Sequence, residues 1–436
     1  MGKLNHLIFA QGERYPMVLD ADGMPDFWIT LYVTEELRTS LMQTTIVNSI
    51  RHILHLRLWE QLNERDLILE ASQGQFLSDA DVYSLRDHCL LSTRDLRAWS
   101  LLKSKKNVAK LSASNPSSIR HLDSVSKLHA ANRLAEIAKF LSFTASALLR
   151  RRPNFTSIVP AINDMKKLIL AQKPEGQGNK GMAYDPDSKA PPPEVFEKFM
   201  SVVRVDSPDN PYKNIAVRTR NALMFDILYE TGMRSGEVLA LRVGDVDFNA
   251  GKISILRRHD DLLDPRKLQP VAKTLARNLD IPIDLARRIR AYVMEIRSQV
   301  VTAKSPPLLF VTLKRGRYQG QPISDTAFRN RILGPVISTN SEMFEEITRH
   351  GFRHNHNYRF SKNVDDNNAL SKINPAVASI GKKAESDARM LQYGWSSEQT
   401  AQTYNVRHTR EIVKKVMRAD GEELATHLKK GKKKHE

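Results

Sequence analysis

One cysteine, Cys89, stands in 436 residues, so the chain can form no internal disulfide and no cysteine-built zinc or iron–sulfur centre. That scarcity fits a reducing, cytoplasmic compartment. Long apolar runs are missing as well. Near the start, Leu7-Ile8-Phe9-Ala10 is too short for a signal-peptide core. No stretch approaches the roughly eighteen residues of a spanning helix, so no membrane partner is expected. Gly2 is followed by His6 where a myristoylation signal needs Ser or Thr, which argues against a lipid anchor. Acidic residues are in deficit: 49 Asp and Glu face 67 Lys and Arg, and a net charge of +18 favours a polyanion, nucleic acid above others.

What is present is ordinary globular material. Hydrophobic residues at 41% and charged residues at 27% argue against wholesale disorder, and the length suits two or three domains. The clearest break lies between Gln172 and Val195, where Gly176, Gly178, Gly181 and Pro191-Pro192-Pro193 fall in a polar stretch that cannot bury a face. A linker is expected over 173–192. It separates a helical N-terminal lobe from a mixed C-terminal one, and no internal repeat is seen.

In the first lobe Thr34-Glu35-Glu36-Leu37 starts a helical pattern running through Leu41, Val47, Ile50, Ile53, Leu54 and Leu58. Ser78 with Asp81 forms a capping-box start for a second helix, and a third is expected from about Ser124 to Arg151. Residues 96–122 contain no acid but carry Arg97, Lys103, Lys105, Lys106, Lys110 and Arg120, a positive face suited to phosphates or a solvated loop. Residues 1–95 are therefore set apart as a helical arm or partner-binding region, and 96–172 as a core DNA-binding domain. In the second lobe, helices are expected over Pro193–Val203, Ala216–Tyr229 and Ile283–Val300, with short strands at Gly251–Leu256, Asn278–Ile283 and Leu308–Val311. The expected fold is mainly α with a small antiparallel β-sheet. Lys429, Lys430, Lys432, Lys433 and Lys434 close the chain as a basic tail over 421–436.

Three separated segments carry chemistry. In Thr231-Gly232-Met233-Arg234-Ser235-Gly236-Glu237 one helix stops and another starts, with Arg234 at the junction. Its planar fork suits a phosphate, and Glu237 one turn later can fix its rotamer. His350-Gly351-Phe352-Arg353 places a histidine and an arginine on one helical face. Trp395 is followed nine positions later by Tyr404. His350, His354 and His356 do not read as a metal site, because Gly351 stands where a zinc protease needs its glutamate.

In this order the segments resemble the tyrosine recombinase, or phage integrase, family over about residues 190–410. Its signature has Arg in a Thr-Gly-x-Arg-x-x-Glu turn, a distant His-x-x-Arg, then His or Trp and a tyrosine nine residues on. The resemblance implies a catalytic domain over 193–420 that cleaves and rejoins double-stranded DNA as a site-specific recombinase, as in integration or excision of a mobile element. It implies a homotetramer on DNA, with accessory proteins of the same element as further partners, and no metal or other cofactor. Arg234 and Arg353 would clamp the nonbridging phosphate oxygens, and Tyr404 would attack to give a 3′-phosphotyrosyl bond. A lysine in a β-turn protonates the departing 5′ oxygen; Lys273 is the candidate, in competition with Lys267 and the arginines at 257, 258, 266 and 277. His350 would assist with the tyrosine proton or hydrogen-bond the phosphate. Trp395, in place of the usual histidine, can donate a hydrogen bond but cannot shuttle a proton. Tyr393 and Tyr358 are read as structural. Two readings of the same groups stay open: a type IB topoisomerase, and a DNA-binding regulator without catalysis.

The chain departs from that pattern after Arg353. His354-Asn355-His356-Asn357-Tyr358-Arg359-Phe360 replaces a small, apolar helix, and the longer gap to Trp395 is expected to hold an inserted surface excursion around Ser361–Ala384.

Overall fold

The computed structural model describes residues 2–106, 122–174, 190–270, 272–302, 305–398, 408–414 and 416–418. The basic tail, most of the expected linker, and Lys110 and Arg120 lie outside the described residues. The chain divides into two compact units, Met1–Lys180 and Gly181–Glu436, both largely helical and each carrying a small antiparallel sheet.

The first unit opens on a feature that its apolar pattern does not announce. Strands β1 (Lys3–Ile8) and β2 (Arg14–Leu19) pair antiparallel from Lys3↔Leu19 to Ile8↔Arg14, across a turn in which Gly12 takes φ +93°. The expectation of a purely helical lobe fails here because β1 is mostly exposed and shows no alternation strong enough to read. Helix α1 (Phe27–Tyr32) is capped by Asp26, which accepts from the Ile29 N–H at 2.9 Å, and continues as a wider turn to Leu37. Thr34 is thus inside a helix that starts seven residues earlier, and α2 (Gln43–Asn63) is a separate element. Helices α3 (Leu67–Ser72), α4 (Asp79–Leu90), α5 (Thr93–Lys106), α6 (Lys127–Leu149) and α7 (Phe155–Ala171) complete the unit. The capping box on α4 is present: the Asp81 N–H donates to the Ser78 hydroxyl and the Ser78 N–H to the Asp81 carboxylate. One apolar core draws on both sides of residue 95, with Ile50, Ile53 and Trp59 of α2, Leu85 of α4, Leu134, Ile137 and Phe140 of α6 and Ile169 of α7.

The second unit is built on α8 (Pro193–Val203), α9 (Ile215–Thr231) and α10 (Ser235–Ala240). A three-stranded antiparallel sheet follows, β3 (Val246–Asp247), β4 (Lys252–Ile255) and β5 (Arg277–Asp280), in the order β3-β4-β5 with Val246↔Ile253 and Ile253↔Leu279. Next come α11 (Ile283–Ala291), which continues in wider and tighter turns to Gln299, and the short α12 (Asp325–Ala327), α13 (Gly334–Ile337) and α14 (Ser341–Phe344). Leu308–Val311 makes only isolated bridges, Arg242↔Leu308 and Val311↔Pro322, and is not a strand of the sheet.

Helix α15 (Gly351–Ser371) and α16 (Lys382–Tyr393) finish the described core. Phe352 anchors the start of α15, with its ring 5.2, 5.5 and 5.8 Å from those of Phe196, Phe199 and Phe225. The surface excursion expected around Ser361–Ala384 is overturned in its first half: Ser361 and Val364 are buried on α15, which runs unbroken to Ser371. Arg389 of α16 donates to Asn357 Oδ1 at 2.6 Å and to the Ser361 hydroxyl at 2.8 Å. Ser361, where the excursion was expected to begin, is with Asn357 the docking surface for this buried arginine. No helix among the described residues is long and apolar enough to cross a membrane.

Candidate active site

Helix α9 ends on Gly232, in the left-handed region at φ +63°, where a Cβ would come within 2.9 Å of the His356 and Tyr393 rings. The sharp exit puts Arg234 at the cap position of α10. Its backbone N–H donates to the Glu237 carboxylate at 3.0 Å, while its Nη1 lies 3.7 Å from the same carboxylate. Glu237 therefore fixes the Arg234 main chain more tightly than its side chain, which keeps 27% exposure.

The side-chain hydrogen bonds to Glu237 come from elsewhere. The Thr274 hydroxyl donates at 2.6 Å and Arg277 Nη2 at 3.0 Å, from the chain that enters β5. Burial would push the Glu237 carboxyl up; the Arg277 charge, with hydrogen bonds from Arg277, Thr274 and the Arg234 N–H, outweighs it and holds the group below its ordinary value. Arg277 Nε reaches the Gln392 carbonyl at 2.8 Å, and the Gln392 amide returns to the Thr231 carbonyl at 3.1 Å. The turn after α16 is locked to the same place: the Leu275 N–H donates to the Gly394 carbonyl at 3.1 Å.

Arg353 enters from α15, fully buried. Its Nη1 donates to the Gly232 carbonyl at 3.1 Å and its Nη2 to the Tyr393 carbonyl at 2.7 Å. Its guanidinium faces the Tyr393 and Trp395 rings, 4.8 and 5.5 Å from their centroids, and those rings stack 4.7 Å apart. His356 shares a 2.6 Å hydrogen bond with the Tyr393 hydroxyl through Nδ1 and donates from Nε2 to the Glu230 carbonyl at 2.9 Å. Burial first, then the nearby Arg359, pushes its pKa down to about 4, so the ring is neutral at pH 7.

Arg234, Arg353 and Trp395 thus converge through one network. Lys273 is the exposed neighbour of Thr274, in the segment leading into β5. His350 is exposed at the start of α15, one turn before Arg353, its ring edge-on to His354 at 5.1 Å. Tyr404 lies outside the described residues. The sequence reading missed Arg277, Thr274 and Gln392. Arg277 enters the sequence reading only as a competitor of Lys273, yet its side chain is 1% exposed and ion-paired to Glu237. The polar, arginine-rich approach to β5 carries no local signal of burial.

Residues 205–374 match the Phage integrase family, a span that holds Arg234, Lys273, His350 and Arg353 and stops before Trp395. Solved structures similar to the chain include the XerA recombinase (14% identity, 89% of this chain and 97% of that one, TM-score 0.33). Others are the Tn1549 transposon integrase with circular intermediate DNA (14%, 89% and 99%, 0.43) and the XerH site-specific recombinase bound to difH (15%, 80% and 95%, 0.36). No curated protein matches. Residues 205–374 are a domain of the phage integrase family.

Proposed function

We propose that this protein is a site-specific DNA recombinase, cleaving and rejoining double-stranded DNA through a 3′-phosphotyrosyl intermediate to integrate or excise a mobile element. The observation that carries the reading is the buried network joining the Arg234 turn, the Lys273–Arg277 segment, Arg353 and the Trp395 turn, inside a phage integrase family domain.

A phosphodiester repels nucleophiles by its charge, so charge on the nonbridging oxygens must be neutralised as the pentavalent state forms. Arg234 and Arg353 are assigned that task, with the Trp395 indole as a further donor. Tyr404 supplies the attacking oxygen, His350 takes up or steers its proton, and Lys273 protonates the departing 5′ oxygen. The covalent bond conserves the energy of the broken linkage, so the reading needs neither nucleotide nor metal. A homotetramer on two duplexes, aided by accessory proteins of the element, is the assembly that strand exchange requires.

Covalent trapping tests the reading. The protein is mixed with nicked suicide duplexes tiled from the DNA flanking its gene and resolved on a denaturing gel. The expected result is a protease-sensitive adduct absent from Tyr404→Phe. Relaxation of any supercoiled plasmid without a preferred site would replace recombinase with topoisomerase. Band shifts in a native gel with no adduct would reduce the function to DNA binding.

A further inference from the structure

Lys273 sits on a segment that looks free to wander, an exposed residue in the 21-residue connection between β4 and β5. The main chain just after it is nevertheless held at several points. The Thr274 hydroxyl donates to Glu237, the Leu275 N–H donates to the Gly394 carbonyl, and the Leu275 carbonyl accepts from Arg277 Nη1 at 3.4 Å. Arg277 is common to the arrangement. Its three nitrogens between them reach three segments: Nη2 the Glu237 carboxylate at 3.0 Å, Nη1 the Thr274 hydroxyl at 2.8 Å and the same carboxylate at 3.5 Å, and Nε the Gln392 carbonyl at 2.8 Å.

An ion pair this deep is weak evidence for stability as such, because an apolar pair of similar volume often does as well. What it supplies is geometry: a planar guanidinium fixes three partners at set angles in a way that a lysine or an apolar side chain cannot. We propose that Arg277 is a positioning residue for leaving-group protonation, setting the turn that carries Lys273 against the Arg234 helix and the Trp395 turn. The inference rests on the recombinase reading and on Lys273 as the general acid. In the step concerned, Tyr404 Oη bonds to phosphorus, the P–O5′ bond breaks, the tyrosine proton passes to His350 or water, and the Lys273 ammonium delivers a proton to O5′. If Arg277 acts through Lys273, its loss is felt only where that proton is needed.

A duplex with sulfur in place of the bridging 5′ oxygen isolates the step, since a thiolate departs without protonation. Adduct formation is compared on oxygen- and sulfur-bridged suicide duplexes for the full-length chain, Lys273→Ala, Arg277→Lys and Thr274→Val. Arg277→Lys keeps a charge beside Glu237 so that the unit folds, and Thr274→Val makes the same comparison without touching a charge. On the oxygen duplex, Lys273→Ala is expected to slow cleavage about 100-fold and the other two about tenfold or more. On the sulfur duplex all three should return to within about threefold of wild type, because the general acid is no longer used. Rescue of Lys273→Ala but not of Arg277→Lys and Thr274→Val would overturn the positioning role and leave Arg277 a structural residue. Wild-type rates for both variants on oxygen would overturn it too. Failure to rescue Lys273→Ala would remove Lys273 as general acid, and with it the inference, while leaving the recombinase reading in place. Absence of any wild-type adduct would sink that reading itself.

Discussion

Arg353 grips Tyr393 twice: its guanidinium lies 4.8 Å from the ring centroid and its Nη2 donates to the carbonyl of the same residue at 2.7 Å. Through the stack on Tyr393 the contact extends to Trp395. An arginine from α15 thereby seats the end of α16 and the turn that follows it, so the placement of Trp395 depends on a residue forty-two positions earlier in the chain.

Tyr393→Phe should separate structure from chemistry. It leaves His356 Nδ1 buried without its 2.6 Å partner, at a cost of about 1–3 kcal/mol in urea unfolding. Adduct formation with suicide duplexes should survive, because the hydroxyl is engaged with the histidine. Its disappearance in this variant, with retention in Tyr404→Phe, would make Tyr393 the nucleophile.

Gly394→Ala should destabilise the second unit. The residue sits at φ +61°, and a Cβ would come 2.9 Å from the Leu275 carbonyl oxygen, a backbone atom that cannot swing aside. The left-handed conformation and the clash together should cost about 1–3 kcal/mol, read as a lower melting temperature. An unchanged melt would mean that the Gly394–Leu275 junction is not formed in solution.

Replacing Arg389 by Met should cost about 3 kcal/mol, since it strips a buried donor from Asn357 and Ser361 and from Glu385. The exposed Asp387→Ala on the same helix should change stability by less than about 0.5 kcal/mol. Equal effects from the two would show that α16 is not docked through Arg389.

Acid should weaken the first unit. His55 and His88 donate from Nε2 to one another's carbonyls at 3.1 Å, and the Thr93 hydroxyl lies 3.0 Å from His55 Nδ1. Arg133 reaches the same place, donating to Thr93 and to the Cys89 and Leu91 carbonyls, and His52 and His129 pair beside it. Burial first pushes His55 down to about 2, with His88 and Arg133 adding to the effect, and pushes His88 down to about 4. Both histidines stay neutral in the fold but protonate near pH 6.5 in the unfolded chain. Their contribution is therefore complete above pH 6.5 and declines as the pH falls, by up to about 1.4 kcal/mol per pH unit for each group. His88 stops contributing to that slope near pH 4 and His55 near pH 2. Urea midpoints for wild type and His88→Gln at pH 7, 6 and 5 should converge as the pH drops; parallel lines would mean that His88 is not buried neutral.

Much of the local structure was legible in the sequence. The Ser78–Asp81 box, the helix over Pro193–Val203 and the break at Thr231-Gly232 act through neighbours within four residues, so periodicity and cap chemistry suffice to read them. The motif residues Arg234, His350 and Arg353 are picked out by the resemblance of their segments, taken in order, to the tyrosine recombinase signature. The sequence itself determined which chemical groups are available and which residues start and stop the helices that carry them.

The tertiary structure alone decided how those groups are supported. Thr274 meets Glu237 across 37 positions, Arg353 meets the Gly232 carbonyl across 121, and Gln392 meets the Thr231 carbonyl across 161. It also made Arg277 a buried hub where composition suggests a solvated loop, and turned Ser361 from an expected loop residue into a partner, with Asn357, of Arg389. A buried charge is tolerated only where several distant segments satisfy it together, and that satisfaction exists nowhere until the chain has closed on itself.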